Sequence, residues 1–234
     1  MAMHLQREIE KLKKKILSLS AVVEESVNRA VQAVIDRDSR LASQIVKNDE
    51  IIDQMEVDVE EECLKILALY QPVATDLRFV IAIMKINNDL ERVGDIANNI
   101  AQRAVSLSRQ EKMPIPFDIF KMAERAQSML RSSLDSLVNM DTNLARGVSA
   151  ADDEVDEINR QAFVKIQEAI QKNPERVDYL IQLLSISRYL ERIADYATNV
   201  AEDVIYMTQG QIIRHKKDAQ ETAKIKEIRK TAEI

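Results

Sequence analysis

The sequence predicts an all-α protein: a tandem duplication of two antiparallel three-helix bundles, six long helices in all, followed by a C-terminal tail. Three observations carry this prediction. The 234 residues include only three Gly and four Pro, so the chain has little punctuation and must run in long uninterrupted elements. Aromatics make up 4% while Ala, Leu, Glu, Lys, Gln and Arg abound, a composition that favours helix. Finally, Leu90-Glu91-Arg92-Val93-Gly94-Asp95 is written again one hundred residues later as Leu190-Glu191-Arg192-Ile193-Ala194-Asp195. At the same offset Phe79 lies over Tyr179, Ile86 over Ile186, Ala97 over Ala197 and Asn99 over Asn199.

The first helix is marked by Leu5, Ile9, Leu12, Ile16, Leu19, Val23, Val27, Ala30 and Val34, an apolar seam stepping mostly by fours and threes. It should end near Asp36 to Asp38, with Lys11 and Lys13 to Lys15 on a solvated face. Asp38 or Ser39 can cap a second helix that runs through Leu41, Ile45, Ile52, Met55, Val59 and Ile66 to Tyr70, where Pro72 breaks it. The third helix is the most regular: Phe79, Ile83, Ile86, Leu90, Val93, Ala97, Ile100, Ala104 and Leu107 share one face. Its first half is also apolar at Leu77, Val80, Ile81 and Met84, so that end should be buried on most sides.

Pro114 and Pro116 close the first half. In the second, Asp141, Leu144, Ala145, Asp152 and Asp156 repeat Asp38, Leu41, Ala42, Asp49 and Asp53 at an offset of 103. That offset falls to 100 by the third helix, so the connection around Pro72 is three residues longer than the one around Pro174. Short connections make successive helices antiparallel neighbours, which divides the chain into residues 1–112, residues 113–209 and a basic tail over 210–234. The tail has no counterpart in the first half and reads as a polar helix or frayed end, or as a docking segment for an acidic or membrane-bound partner.

Composition also excludes functions. No apolar run approaches the ~20 residues that cross a bilayer, and the N-terminus lacks a signal-peptide core, which points to the cytosol. A formal charge of −6 argues against a nucleic-acid footprint. The single cysteine, Cys63, falls in a helical pattern and reads as an inert buried thiol. His4 and His215 are the only histidines, and no nucleophile-base set, phosphate-binding Gly loop or nucleotide fingerprint is present, so the chain is not expected to be an enzyme.

Its chemistry lies in carboxylates. One residue in six is acidic, so two acids at i and i+4 should arise roughly six times by accident, and a single pair means nothing. Here the pairs recur in register: Asp49/Asp53 and Asp152/Asp156 on the second helix of each half, Glu91/Asp95 and Glu191/Asp195 on the third. Asp53 and Glu91 are each 19 residues from Pro72, and Asp49 and Asp95 are each 23 away, so the four stand at one height on adjacent antiparallel helices. The second set centres in the same way beside Pro174.

Like charges within ~5 Å repel by about 3 kcal/mol per pair at an effective dielectric near 20. Oxygen-only sites of this kind suit magnesium, calcium, manganese or iron and not structural zinc. Glu91 and Asp95 point away from the Ile86-Leu90-Val93-Ala97 seam, which makes the site a surface groove. The competing reading has these acids empty and neutralised by Arg92, Arg192 or surface lysines. A ferritin-like di-iron site would need inward Glu-x-x-His pairs, which are absent.

The repeated motif, with Gln71-Pro72-Val73-Ala74-Thr75-Asp76-Leu77-Arg78 ahead of its first copy, resembles the PhoU family of phosphate-transport regulators over roughly residues 5 to 215. The resemblance implies two tandem three-helix bundles, dimerisation, and in some members multinuclear clusters, iron included, on the acidic motifs. By position the ligands would be Asp49, Asp53, Glu91, Asp95, Asp152, Asp156, Glu191 and Asp195. It further implies a cytoplasmic repressor of phosphate uptake and of the phosphate-starvation response, bridging a membrane sensor histidine kinase and the ATPase subunit of the phosphate transporter. It would reach the inner membrane only through those partners. Carboxylate-bundle metal storage or redox, and a metal-free helical scaffold, are the alternatives. Two departures from the family pattern, Lys172-Asn173-Pro174-Glu175 in place of the Gln-Pro loop and Ala194 in place of Gly94, leave the two sites free to differ.

Overall fold

The computed structural model describes residues 2–212, so the expectations for the tail beyond Ile212 lie outside the described residues. The helices are α1 (Ala2–Asp36), α2 (Ser39–Lys47), α3 (Asp49–Tyr70), α4 (Ala74–Ser108), α5 (Ile119–Asn139), α6 (Thr142–Lys172) and α7 (Val177–Gln209), with a short 3-10 turn at Pro174–Arg176. No strand occurs among the described residues.

The expected single second helix is broken, since α2 stops at Lys47 and α3 begins at Asp49. Asn48, with φ −94° and ψ 4°, caps both pieces. The position equivalent to Asn48 in α6 is Ala151, the better helix former, and α6 continues unbroken for 31 residues. Asp49 and Glu50 consequently occupy a first helical turn, where the unpaired amides favour acids.

Elsewhere the repeat is reproduced closely. Arg37 and Met140, equivalent residues, both adopt left-handed backbone, with φ 55° and 52°. Each is followed by an aspartate that caps the next helix: Asp38 accepts from the amides of Arg40 and Leu41, and Asp141 from those of Asn143 and Leu144. The three extra residues near Pro72 are Gln71, Pro72 and Val73, with Gln71 in the left-handed region, whereas the second half turns directly through Asn173 into the 3-10 turn.

Helices α1, α3 and α4, with α2, form one bundle, and α5, α6 and α7 the other. The two join through α4 against α7 and α1 against α5; among the described residues α3 touches no element of the second half and α6 none of the first. Leu12, Ile16, Leu90, Ile100, Met122 and Ile166 are fully enclosed in one continuous apolar core. Leu77, Ile81 and Met84 depart from expectation: Val80 is buried, but Leu77 is 39% exposed and the other two are half-buried, because they lie on the outer face of α4.

Helices α4 and α7 run antiparallel. Lys85 Nζ is 3.7 Å from Asp203 Oδ1 and 5.3 Å above the Tyr206 ring, while Arg103 Nη1 donates to Gln182 Oε1 at 3.1 Å. Going up one helix is going down the other, which brings the two copies of the repeated motif to the same height across the junction.

Candidate carboxylate site

Asp53 acts on Glu91 and Asp156 on Glu191 across neighbouring helices. On α4 the residues behind the motif, Ile86, Leu90, Val93 and Ala97, are fully buried, while Glu91 is half-buried and Asp95 is exposed. The first set stands along the line where α3 packs on α4, and the second where α6 packs on α7. Electrostatics links the four members of each set. The Glu91 carboxyl is raised above its ordinary range by burial first, then by the charges of Asp95, Asp53 and Glu56. Asp49 is raised by burial and by Asp53 and Asp95, against a hydrogen bond from Asn98 Nδ2 that lowers it. In the second half Glu191 is raised by burial, then by Asp156 and, more weakly, Asp152. Asp195 reaches solvent, yet desolvation by its crowded surroundings, then the charges of Glu191, Asp152 and Asp156, push it up to about 7. Arg92 and Arg192 contribute the smallest opposing effects on Glu91 and Asp195, so they do not neutralise these faces.

These are groups that resist being ionised together, and a cation is the chemical remedy for such crowding. The donors are all oxygen and suit a hard ion. Thr198 Oγ1, at the position equivalent to Asn98 and one turn beyond Asp195 on α7, is buried without a hydrogen-bond partner. Yet among the described residues no three acidic, histidine or cysteine side chains converge on a point that could hold an ion. Each groove is a carboxylate neighbourhood whose side chains would have to turn inward to close around metal.

Several polar residues beside the acids belong to no repeated acidic motif. Asn87, 1% exposed, donates through Nδ2 to the Glu56 carbonyl at 2.9 Å and to Glu56 Oε1 at 3.1 Å. The equivalent pair in the second half is Ser187 donating to Asn159 Oδ1 at 2.7 Å. Both bonds tie the second helix of a bundle to the third one turn from the acids. Only the first half adds a fifth carboxylate, Glu56, itself raised by burial and by Glu60 and Asp53. The signal in the sequence was a polar residue, Asn87 or Ser187, in register with the apolar seam one turn before Glu91 or Glu191.

Cys63 is fully buried and its thiol is pushed up to about 12, first by desolvation and then by Glu62 and Glu60. It is therefore not a nucleophile or a thiolate ligand. Among the described residues no helix is long and apolar enough to cross a membrane.

A duplicated all-helical body with a carboxylate groove on each repeat defines a class of tandem three-helix-bundle proteins. Two copies of the PhoU domain match the chain, over residues 16–104 and 119–204. The chain belongs to the PhoU family, accessory proteins of phosphate-specific transport systems. It is 37% identical over 209 residues to the phosphate-specific transport system accessory protein PhoU homolog of Pseudomonas aeruginosa, covering 89% of this chain and 86% of that one. The Aquifex aeolicus homolog is 37% identical over 213 residues, 91% of this chain and 96% of its own. The crystal structure of PhoU from Pseudomonas aeruginosa superposes with a TM-score of 0.86 over 88% of this chain and 99% of that one. The phosphate transport system regulatory protein PhoU from Streptococcus pneumoniae, 28% identical, gives 0.79 over 89% and 99%.

Proposed function

We propose that this protein is a non-enzymatic, cytoplasmic negative regulator of phosphate uptake and of the phosphate-starvation response. It acts as an adaptor between a sensor histidine kinase and the ATPase subunit of the phosphate transporter. The observation that carries this reading is that both PhoU domains are matched, in a chain whose relatives are named as accessory proteins of that transport system. The architecture suits the role: two similar bundles packed together through α4 and α7 offer one face to each of two partners. The test is co-purification of the tagged full-length chain with each component. Retention of both supports the adaptor, and retention of neither overturns it.

Metal binding is the second part of the proposal. Asp49, Asp53, Glu91 and Asp95 in one groove, and Asp152, Asp156, Glu191 and Asp195 in the other, would take iron, manganese, magnesium or calcium. The support is that Glu91, Asp49, Glu191 and Asp195 are raised first by burial and then by neighbouring acids. The same observation favours a rival role in metal storage or redox, which requires releasable or cycling metal. Elemental analysis before and after a reductant and chelator separates the two, because an adaptor keeps its partners whether or not its metal can be cycled. Self-association as a homodimer belongs to the same proposal and is read by sedimentation.

A further inference from the structure

One turn beyond each acid set, toward the hairpin, the two outer grooves have opposite chemistry. The α6–α7 groove, of about 410 Å³, is lined by Asn159, Arg160, Phe163, Val164, Leu184 and Arg188: two cations and no acid. The equivalent residues between α3 and α4, by the offsets of 103 and 100, are Glu56, Val57, Glu60, Glu61, Met84 and Asn88: three acids and no cation. Over these six positions formal charge thus runs from +2 in one repeat to −3 in the other. The apolar side chains of the second-half groove are also unusually open, with Phe163 56%, Val164 52% and neighbouring Ile181 45% exposed. In the first half the positions of Phe163 and Val164 are glutamates, so the fold does not require an apolar residue at either place. Arg160 also holds Glu157 at 2.9 Å, and Arg188 lies close enough to Glu191 to act on its carboxyl, so both cations border the acid set.

We propose that the α6–α7 groove receives an amphipathic helix from a protein partner, with its apolar stripe on Phe163, Val164 and Leu184 and flanking Asp or Glu residues against Arg160 and Arg188. The valley between two packed helices accepts the ridge of a third, with apolar anchors at i, i+3, i+4 and i+7. The two arginines select the sign of the flanks, since a basic helix would bury like charges. The first-half groove, carrying Glu56, Glu60 and Glu61, rejects that same partner, so the repeats are not interchangeable docking faces. This deepens the adaptor reading and rests on it for the expectation of a protein partner.

The experiment is fluorescence anisotropy of the full-length chain, in chelator, with two labelled synthetic helical peptides that share one leucine stripe and differ only in Glu or Lys flanks. The Glu-flanked peptide should bind at least about tenfold tighter at low salt, with the preference shrinking as salt rises. Phe163→Ser should weaken it roughly tenfold. Arg160→Glu with Arg188→Glu should reverse the preference, while Glu60→Lys with Glu61→Lys should leave Glu-flanked binding unchanged. Circular dichroism guards each variant, and all these positions are on the surface. Equal affinity for the two peptides, or indifference to Phe163→Ser, overturns the proposal. So does conversion of a dimer to a monomer by Phe163→Ser in sedimentation, which would make a second copy the occupant. Co-purification of the Phe163→Ser chain separates the two levels: partners retained by both wild type and variant sink the groove and leave the adaptor standing. Partners retained by neither sink the adaptor, while the peptide preference still decides the groove.

Discussion

Gly94 lies against Ile52 so closely that a Cβ added there would stand 3.0 Å from both Cδ1 and Cγ2 of the isoleucine. Across the repeat the equivalent positions hold Ala194 and Val155, so that the methyl gained at one position is matched by one given up at the other. Gly94→Ala alone should lower stability, the overpacking outweighing the ~1 kcal/mol that Ala otherwise gains over Gly within a helix. Adding Ile52→Val should recover it, with a coupling of about 1 kcal/mol in a double-mutant cycle. Urea denaturation of the four chains measures this; additive effects would show that Ile52 moves aside freely.

The two aspartate caps make a separable prediction. Asp38→Ala and Asp141→Ala each remove two hydrogen bonds to helix N-terminal amides and should each cost about 1 kcal/mol. The caps share no partner, so the double variant should lose the sum. Thermal unfolding followed by circular dichroism is sufficient.

The pH dependence of the chelated protein follows from opposing shifts. Asp195, raised from 3.8 to about 7, keeps a proton in the fold that the unfolded chain has already released, so stability falls as pH climbs between those values. Glu191, Glu91, Asp49 and Glu56 push in the same direction. Glu8 acts oppositely: Lys11 and Lys65 hold it at about 2, and its contribution is lost as pH drops from its usual 4.5. Asp195→Asn should flatten the decline between pH 4 and 7 without altering the acid limb. Urea midpoints across that range measure both limbs, and an unchanged slope would remove Asp195 as its source.

Each groove draws its four acids from one repeat, so metal should be lost by halves. Asp95→Asn and Asp195→Asn should each remove part of the bound metal and leave helicity intact, because the apolar seams alone supply the core. A chelator should strip metal without unfolding the chain, unlike a small domain in which binding and folding are one event. Elemental analysis beside circular dichroism decides: unchanged metal in both variants refutes the ligand assignment, and total loss from either refutes independence.

How far the sequence could be read depended on whether a feature was periodic. The seams, the cap at Asp38 and the equal height of Asp53 and Glu91 all follow from the regularity of the helices. The break at Asn48 was missed because the apolar spacing continues across it; the local cue was Asn-Asp-Glu, an ordinary helix start placed inside a longer pattern. Glu56 and Asn87 were missed because a hydrogen bond between helices has no period. The exposure of Leu77 was missed because apolarity alone does not say which faces are covered. The acids could be located by counting, but the way their side chains point belongs to rotamers, which spacing does not encode.

The antiparallel junction of α4 and α7 has the geometry of a two-fold homodimer contact written into one polypeptide, and its charges show how far the copies have since parted. Lys85 meets Asp203, while the symmetry-related positions hold Ser185 and Arg103. Two first halves brought together in the same way would set Lys85 of each against Arg103 of the other, cation against cation. Two second halves would leave each Asp203 facing Ser185. At these positions the halves have thus become complementary to each other and no longer to themselves, which makes the covalent link a marriage of unlike partners rather than a convenience.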